Sequence, residues 1–288
     1  MKVKALIEGI LRSEKSTRIT LSDDVGPASA KQKIPLFDSS QFRIPSYGRS
    51  LSEAPNGKLV VFGLPKCGNV WLVSMLSDYL ELPPIDPMVE VERKGVGMCH
   101  LPLDQVENRR DFIQAIYLMR DIRDVIVSYF HNCQTAWFKD NMPNFHYDDL
   151  ESFYFEWFLP RVVPFHGIED HAYKFTEAGI PIVRYERLCA DTVGEFARIV
   201  KRLGLPFDAG VIEAVVEKNR LDALKKSGKQ LNVFVPSTHF RRGGTGGYKN
   251  ELPATVLRHV NCRFGRLLTD WGYELDDRII GSAPSEAC

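Results

Sequence analysis

Between Gly63 and Trp71 the chain reads Gly-Leu-Pro-Lys-Cys-Gly-Asn-Val-Trp, two glycines and a lysine set between an apolar run and an amphipathic one. Glycines at such a junction leave backbone N–H groups open to an anion, and the dipole of a following helix favours negative charge there, so the segment suits a phosphate or sulfate group. It is a poor nucleoside triphosphate loop. Gly63 and Gly68 have the right separation, but Asn69 and Val70 stand where that motif needs Lys and then Ser or Thr. Without the hydroxyl there is no ligand for the magnesium that accompanies a triphosphate, which disfavours a P-loop nucleotide kinase. Lys66 instead precedes the second glycine, where its ammonium can reach over the loop to a bridging or leaving oxygen. A tight βα turn with an exposed lysine is the plainer reading of the same residues. Since 37 Lys and Arg balance 37 Asp and Glu, there is no broad field for nucleic acid or an acidic membrane, and any anion site must be a local basic cluster.

The elements that hold this loop follow from the hydrophobic pattern. KLVVFG at 58–63 predicts a strand, and Leu72, Met75, Leu76, Tyr79 and Leu80 recur at helical spacing over 69–80. QAIYLM at 114–119 predicts a second strand that turns through Arg120 to Asp124 into the helical VIVSYFHN. PIVRY at 181–185 predicts a third, preceded by a helical region over 150–178 and followed by a helix over 192–203 that stops at Gly204. A last helix over 253–270 ends at Gly272. This alternation announces a layered α/β domain with a mainly parallel sheet. Residues 227–250 are Gly-rich, basic and without period, a length of loop that is usually functional or disordered. Residues 1–57 form an N-terminal extension, which leaves 58–288 as the domain.

At the lysine loop the chain resembles the sulfotransferase family that uses 3′-phosphoadenosine 5′-phosphosulfate (PAPS), whose loop has the form P-K-S/T-G-T/S-T/S-W. Four further segments fall into the family's order. IYLMRDIRDVIVSYFHN places Arg120 and Ser128 at the pair that grips the 3′-phosphate. MCHLPLDQV resembles the family's K-T-H-L-P and places its catalytic histidine at His100. RYERL places the adenine-side tyrosine at Tyr185, and FRRGGTGGYKN resembles R-K-G-x-x-G-x-W-K, with Arg241, Arg242 and Gly243 on the 3′-phosphate side. The similarity covers about 58–250. It implies a three-layer α/β/α, P-loop NTPase-like sulfotransferase fold and transfer of a sulfuryl group from PAPS to a hydroxyl of a small-molecule acceptor, leaving PAP, with no metal, no nucleic acid and no membrane. Pro65, Lys66, Cys67, Gly68, Asn69, Val70 and Trp71 then form the phosphosulfate loop.

The chemistry agrees with the resemblance. PAPS carries a 3′-phosphate and lacks a γ-phosphate, so a selective site needs two separated anion clusters. By analogy with phosphoryl transfer, an in-line, loose transition state asks mainly for positioning and charge stabilisation. Lys66 would neutralise charge growing on the leaving phosphate oxygen, and a histidine at 100 suits a general base near neutral pH. Trp71 and Tyr185 either border the adenine or simply pack. A catalytically silent nucleotide-binding module is the competing expectation, because Asn69 and Val70 replace hydroxyl residues of the family loop and Met98 replaces its lysine beside the histidine. Cys67, near a helix N-terminus and Lys66, is either tolerated filler or a thiol of lowered pKa open to oxidation. Of 31 aromatic residues 14 lie between 129 and 175, lining an acceptor pocket or packing helices. The six cysteines have no metal-site spacing and read as free thiols of a cytoplasmic protein. The dimer segment K-x-x-x-T-V-x-x-x-E of the cytosolic animal enzymes is not reproduced, so that dimer is not expected.

Overall fold

The computed structural model describes Leu51 and residues 55–106, 111–142, 145–227 and 243–276. Most of the expected extension, together with Arg241 and Arg242, lies outside the described residues. Five strands, β1 (Lys58–Phe62), β2 (Pro84–Ile85), β3 (Gly95–Cys99), β4 (Phe112–Met119) and β5 (Ile182–Arg184), form one sheet in the order β2-β3-β1-β4-β5. Every pairing is parallel. The sequence dictates this: β1 is apolar after Lys58 and wholly buried, with no alternating polar face, and a strand covered on both sides belongs in a parallel sheet sandwiched by helices. Lys58 is buried as well, its ammonium paired with Asp111 at 2.8 Å and donating to the Val91 carbonyl at 2.7 Å.

Helix α1 (Asn69–Leu80) follows β1 over the predicted span, and α2 (Ile122–Cys133) follows β4. The Asp121 side chain caps α2 by accepting from the Arg123 amide. The helical region expected at 150–178 is broken. It begins as Leu150–Phe153, widens into a π-helix over Tyr154–Val162 where Pro160 supplies no N–H, resumes as Val163–His166, and turns at Gly167 (φ 58°) into α3 (Ile168–Glu177). Phe153, Tyr154 and Phe158 in this region are buried, so many of its aromatics are packing residues. Tyr185, expected to close β5, instead opens α4 (Tyr185–Ala190). Helices α5 (Thr192–Arg202) and α6 (Ala209–Lys218) complete the layer against α1, and the expected last helix breaks at Phe264 into Ala254–Arg263 and Gly265–Asp270.

Two strands were not expected from the sequence, the two-residue β2 and the longer β3. The residues of β3, Gly-Val-Gly-Met-Cys, have low strand propensity. The glycines are required by the neighbouring chain: a Cβ on Gly95 would meet the Pro83 carbonyl at 2.6 Å, and one on Gly97 would meet Pro87 Cδ at the same distance. Cys67, Cys99, Cys133 and Cys189 are thiols outside any disulfide, whereas Cys262 is disulfide-bonded, which corrects the expectation that all six are free thiols.

Candidate active site

Because all five strands run the same way, their carboxyl ends share one edge. Lys66 lies in the loop leaving β1, His100 directly follows β3, Arg120 directly follows β4 and Tyr185 directly follows β5. The chain moves from β1 to β3 on one side and returns to β4 on the other, so these residues sit at the topological switch point, where open α/β sheets place ligands.

The loop is shaped for an anion. Lys66 has φ 73° and Gly68 φ 98°, and a left-handed non-glycine residue persists only where its surroundings enforce it. The amides of Gly68, Asn69 and Val70 make no hydrogen bond among the described residues, as expected for the first donors of a helix, and they stand at the positive end of α1. The Lys66 ammonium donates to Asn132 Oδ1 at 3.1 Å on α2, one turn beyond the half-buried Ser128. The Asn69 side chain, by contrast, is 3% exposed and turned inward, its Nδ2 donating to the Leu64 carbonyl at 3.0 Å. Only its backbone amide is left open at the start of α1.

His100 is tied to the same loop. Its Nδ1 lies 2.6 Å from the Gly63 carbonyl oxygen and 3.2 Å from Asn69 Nδ2; the carbonyl, which only accepts, is much the nearer of the two and sets the tautomer, so Nδ1 carries the proton and Nε2 holds the lone pair. Burial is the main influence on this ring and lowers its pKa below that of an ordinary histidine; the Gly63 bond opposes this and the Lys66 charge adds to it. The imidazole is therefore neutral at neutral pH, with Nε2 ready to accept a proton.

Arg120 joins two loops. Its Nη1 donates to the Lys66 carbonyl at 3.0 Å and its Nη2 to the Gly244 carbonyl at 3.2 Å, while the guanidinium lies 4.4 Å above the Tyr185 ring and Nε is buried without a partner among the described residues. Tyr185 is packed so tightly on Gly68 that a Cβ there would come within 2.7 Å of the ring. Trp71 meets Tyr185 edge-on at 6.2 Å and anchors its indole N–H on the Asn219 carbonyl at 2.9 Å. Of the basic C-terminal segment, Gly243 is described, in the left-handed region at φ 66°; Arg241 and Arg242 are not.

Asp124 is the residue that motif reading missed. It is 3% exposed, its Oδ2 accepting from the Gly246 amide at 2.7 Å and its Oδ1 from the Tyr248 amide at 3.0 Å, so α2 holds the glycine-rich segment beside Arg120. The available signal was a second aspartate in R-D-I-R-D, four residues after Arg120 in the first turn of α2, where its Oδ2 comes 4.0 Å from Arg120 Nη2. The first aspartate, Asp121, has a different task, a two-pronged ion pair with the buried Arg123 at 2.7 Å. Cys67 is 1% exposed, and burial pushes its thiol up to about 12, against the lowered value considered from sequence.

Residues 85–272 match the family model described as "Sulfotransferase domain". The chain belongs to the PAPS-dependent sulfotransferase family. Among curated relatives, "Cytosolic sulfotransferase 3" of Arabidopsis thaliana is 25% identical, the alignment covering 74% of this chain and 77% of the relative. "Sulfotransferase 2A1" of Homo sapiens is 24% identical over 75% of this chain and 86% of its own. Among solved structures, mouse sulfotransferase SULT7A1 complexed with PAP superposes with a TM-score of 0.62 at 17% identity, covering 78% of this chain and 94% of that one. Retinol dehydratase in complex with androsterone and inactive cofactor PAP gives 0.58 at 16% identity, over 77% and 82%. These neighbours share the fold, and the sulfotransferase family match begins after the lysine loop, whose geometry is therefore this chain's own testimony. Three of the departures from the family motifs sit differently in space: Val70 adds an open helix amide, Asn69 braces the loop from inside, and Met98 is half-buried on β3, two residues before His100.

Proposed function

We propose that this sulfotransferase binds PAPS along the shared strand edge and sulfates a hydroxyl group of a small molecule, with His100 as the base and Lys66 at the leaving oxygen. The observation that carries this reading is the convergence of four strand-end residues with His100 hydrogen-bonded to the lysine loop itself. The residues fit the nucleotide: three open amides and Lys66 for the 5′ group, Arg120 with its unpartnered buried Nε and Ser128 for the 3′-phosphate, and Tyr185 and Trp71 as aromatic borders for adenine. Arg241, Arg242 and Gly243 belong to the 3′ side in this assignment, and Pro65 and Cys67 shape the turn. PAPS supplies an activated sulfuryl group; the protein supplies position and charge.

The Lys66 ammonium neutralises charge on the departing phosphate oxygen, and its tie to Asn132 fixes the direction from which it acts. His100 Nε2 takes the acceptor's proton, while the Nδ1 bond to Gly63 keeps the ring in the tautomer that can do so. The amides at the start of α1 hold the 5′ end without a metal, which the absence of a Walker hydroxyl at Val70 makes consistent. For the acceptor, retinol dehydratase structures hold androsterone and retinol, and we extend that chemistry, an alcohol on an apolar skeleton, to this chain. We place the protein in the cytoplasm, as for relatives named cytosolic; no helix among the described residues is long and apolar enough to cross a membrane. The catalytic domain is assigned to 58–288.

The test is thermal shift with PAP, ADP and ATP-Mg, followed by PAPS turnover on a panel of alcohols, phenols and sugars. Selective stabilisation by PAP and turnover abolished in His100→Ala and Lys66→Ala, with PAP binding retained in His100→Ala, are expected. Strong PAP binding with no turnover on any acceptor would favour the silent module, and an active Lys66→Ala/His100→Ala double variant would remove the mechanism.

A further inference from the structure

Behind His100 lie two more histidines that the reaction as derived above does not use. His166 and His171 are each 1% exposed. His166, the last residue before the left-handed Gly167, places Nδ1 3.0 Å from the backbone carbonyl of His100. Because the partner is a carbonyl, Nδ1 is the donor and the proton is on it; Nε2 is buried with no partner among the described residues. His171 lies against the backbone of the same segment, His100 and Leu101, and its Nδ1 is 2.9 Å from the Tyr117 hydroxyl on β4.

The contact to His166 answers a specific need. The ladder between β1 and β3 ends at the pair Phe62 and Cys99, so the His100 carbonyl lies one residue beyond the last sheet partner. A buried carbonyl needs a donor. Leucine or phenylalanine would fill the volume at 166 equally well; what histidine adds is one N–H aimed at one carbonyl, at the expense of a buried nitrogen that no described residue satisfies.

We propose that His166 is a positioning residue for sulfuryl transfer. By holding the peptide of His100 it keeps Nδ1 on the Gly63 carbonyl and so keeps the lone pair on Nε2, turned toward the acceptor. The inference rests on His100 being the base. His166 touches neither substrate nor cofactor in this scheme and acts through the backbone of the residue that does.

The experiment uses the full chain labelled with 15N-histidine, whose long-range spectra distinguish the two imidazole tautomers, with His100 assigned by its loss in His100→Ala. In the wild type both His100 and His166 are expected as single Nδ1–H tautomers. In His166→Leu the His100 signals should split into a mixture, kcat for the best acceptor of the panel should fall by about tenfold to a hundredfold as the base loses its alignment, and PAP affinity should stay within about twofold. In His166→Asn, whose side-chain N–H can stand where Nδ1–H stood, tautomer and kcat should largely return. An unchanged His100 tautomer in His166→Leu, an equal loss of PAP affinity and turnover, or no rescue by asparagine would overturn the proposal. Should His166→Leu fail to fold, a wild-type His166 found as the Nε2–H tautomer overturns it without any variant. Turnover surviving in His100→Ala would instead refute the base assignment, which separates the two failures.

Discussion

Asp124→Asn is the substitution that most directly probes how the glycine-rich segment beside Arg120 is held. The side chain keeps its size and its place on α2, but one of two accepting oxygens becomes an NH2 facing a backbone N–H, either that of Gly246, now 2.7 Å away, or that of Tyr248, at 3.0 Å. A hydrogen bond to a charged group is worth about 1.5–3 kcal/mol, and a donor left facing another donor adds to the loss. The segment stays near solvent, with Gly243, Gly244 and Thr245 exposed, so water recovers part of it. A net penalty of about 2 kcal/mol remains, and it falls on the ordered form of residues 243–248, the form in which the Gly244 carbonyl meets Arg120 Nη2. If nucleotide binding requires that form, PAP affinity drops by roughly thirtyfold, since about 1.4 kcal/mol is a factor of ten. Calorimetric titration of PAP into both proteins measures this, and kcat at saturating PAPS should change little because Lys66 and His100 are untouched. Binding within about threefold of wild type would show that the glycine-rich segment is not part of the nucleotide site.

Gly68→Ala should lose PAP binding and several degrees of thermal stability in a melting assay, because φ 98° and a Cβ within 2.7 Å of Tyr185 leave no room for a side chain. Cys67 should resist iodoacetamide in the folded protein at pH 8 and react only after denaturation, since burial holds its thiol up to about 12. Thermal stability should decline on acidification below pH 6.5. Burial first, with the neighbouring His100 next, lowers His166 to about 3 and His171 to about 4, so the unfolded chain takes up protons over this window while the folded chain does not. The contribution of both groups is intact above pH 6.5 and is progressively lost toward pH 4 and then 3. His171→Phe should flatten the decline by up to about 1.4 kcal/mol per pH unit if the variant folds, as measured by urea midpoints across that range.

What could be read from sequence were the parts where one physical cause acts alone. The run Lys58–Phe62 has no polar face, and a helix over Asn69–Leu80 repeats its apolar residues every three or four positions, so both were legible and both fell where expected. The β3 strand was not, because its glycines answer to the neighbouring segment 83–87 and carry no local strand signal. The helical region after residue 150 showed the right kind of pattern but not its interruptions, which come from Pro160 and Gly167 acting within a packed context. In the site, the lysine loop announced itself through residue type, and Arg120, His100 and Tyr185 through motif order. Asp124 and His166 did not, since an aspartate on a helix and a histidine at a helix end mean nothing until the carbonyls and amides they serve are in view.

Arg120 spans two separately coded stretches of chain by gripping one carbonyl in each, at Lys66 and at Gly244. An anion that draws the guanidinium toward itself loosens both grips together, so the free energies of the two loops are linked through a single side chain. Linkage of this kind is reciprocal: if the two loops hold the nucleotide as proposed, whatever stiffens one alters the affinity of the other for its half of the ligand, with no message passing through the sheet between them.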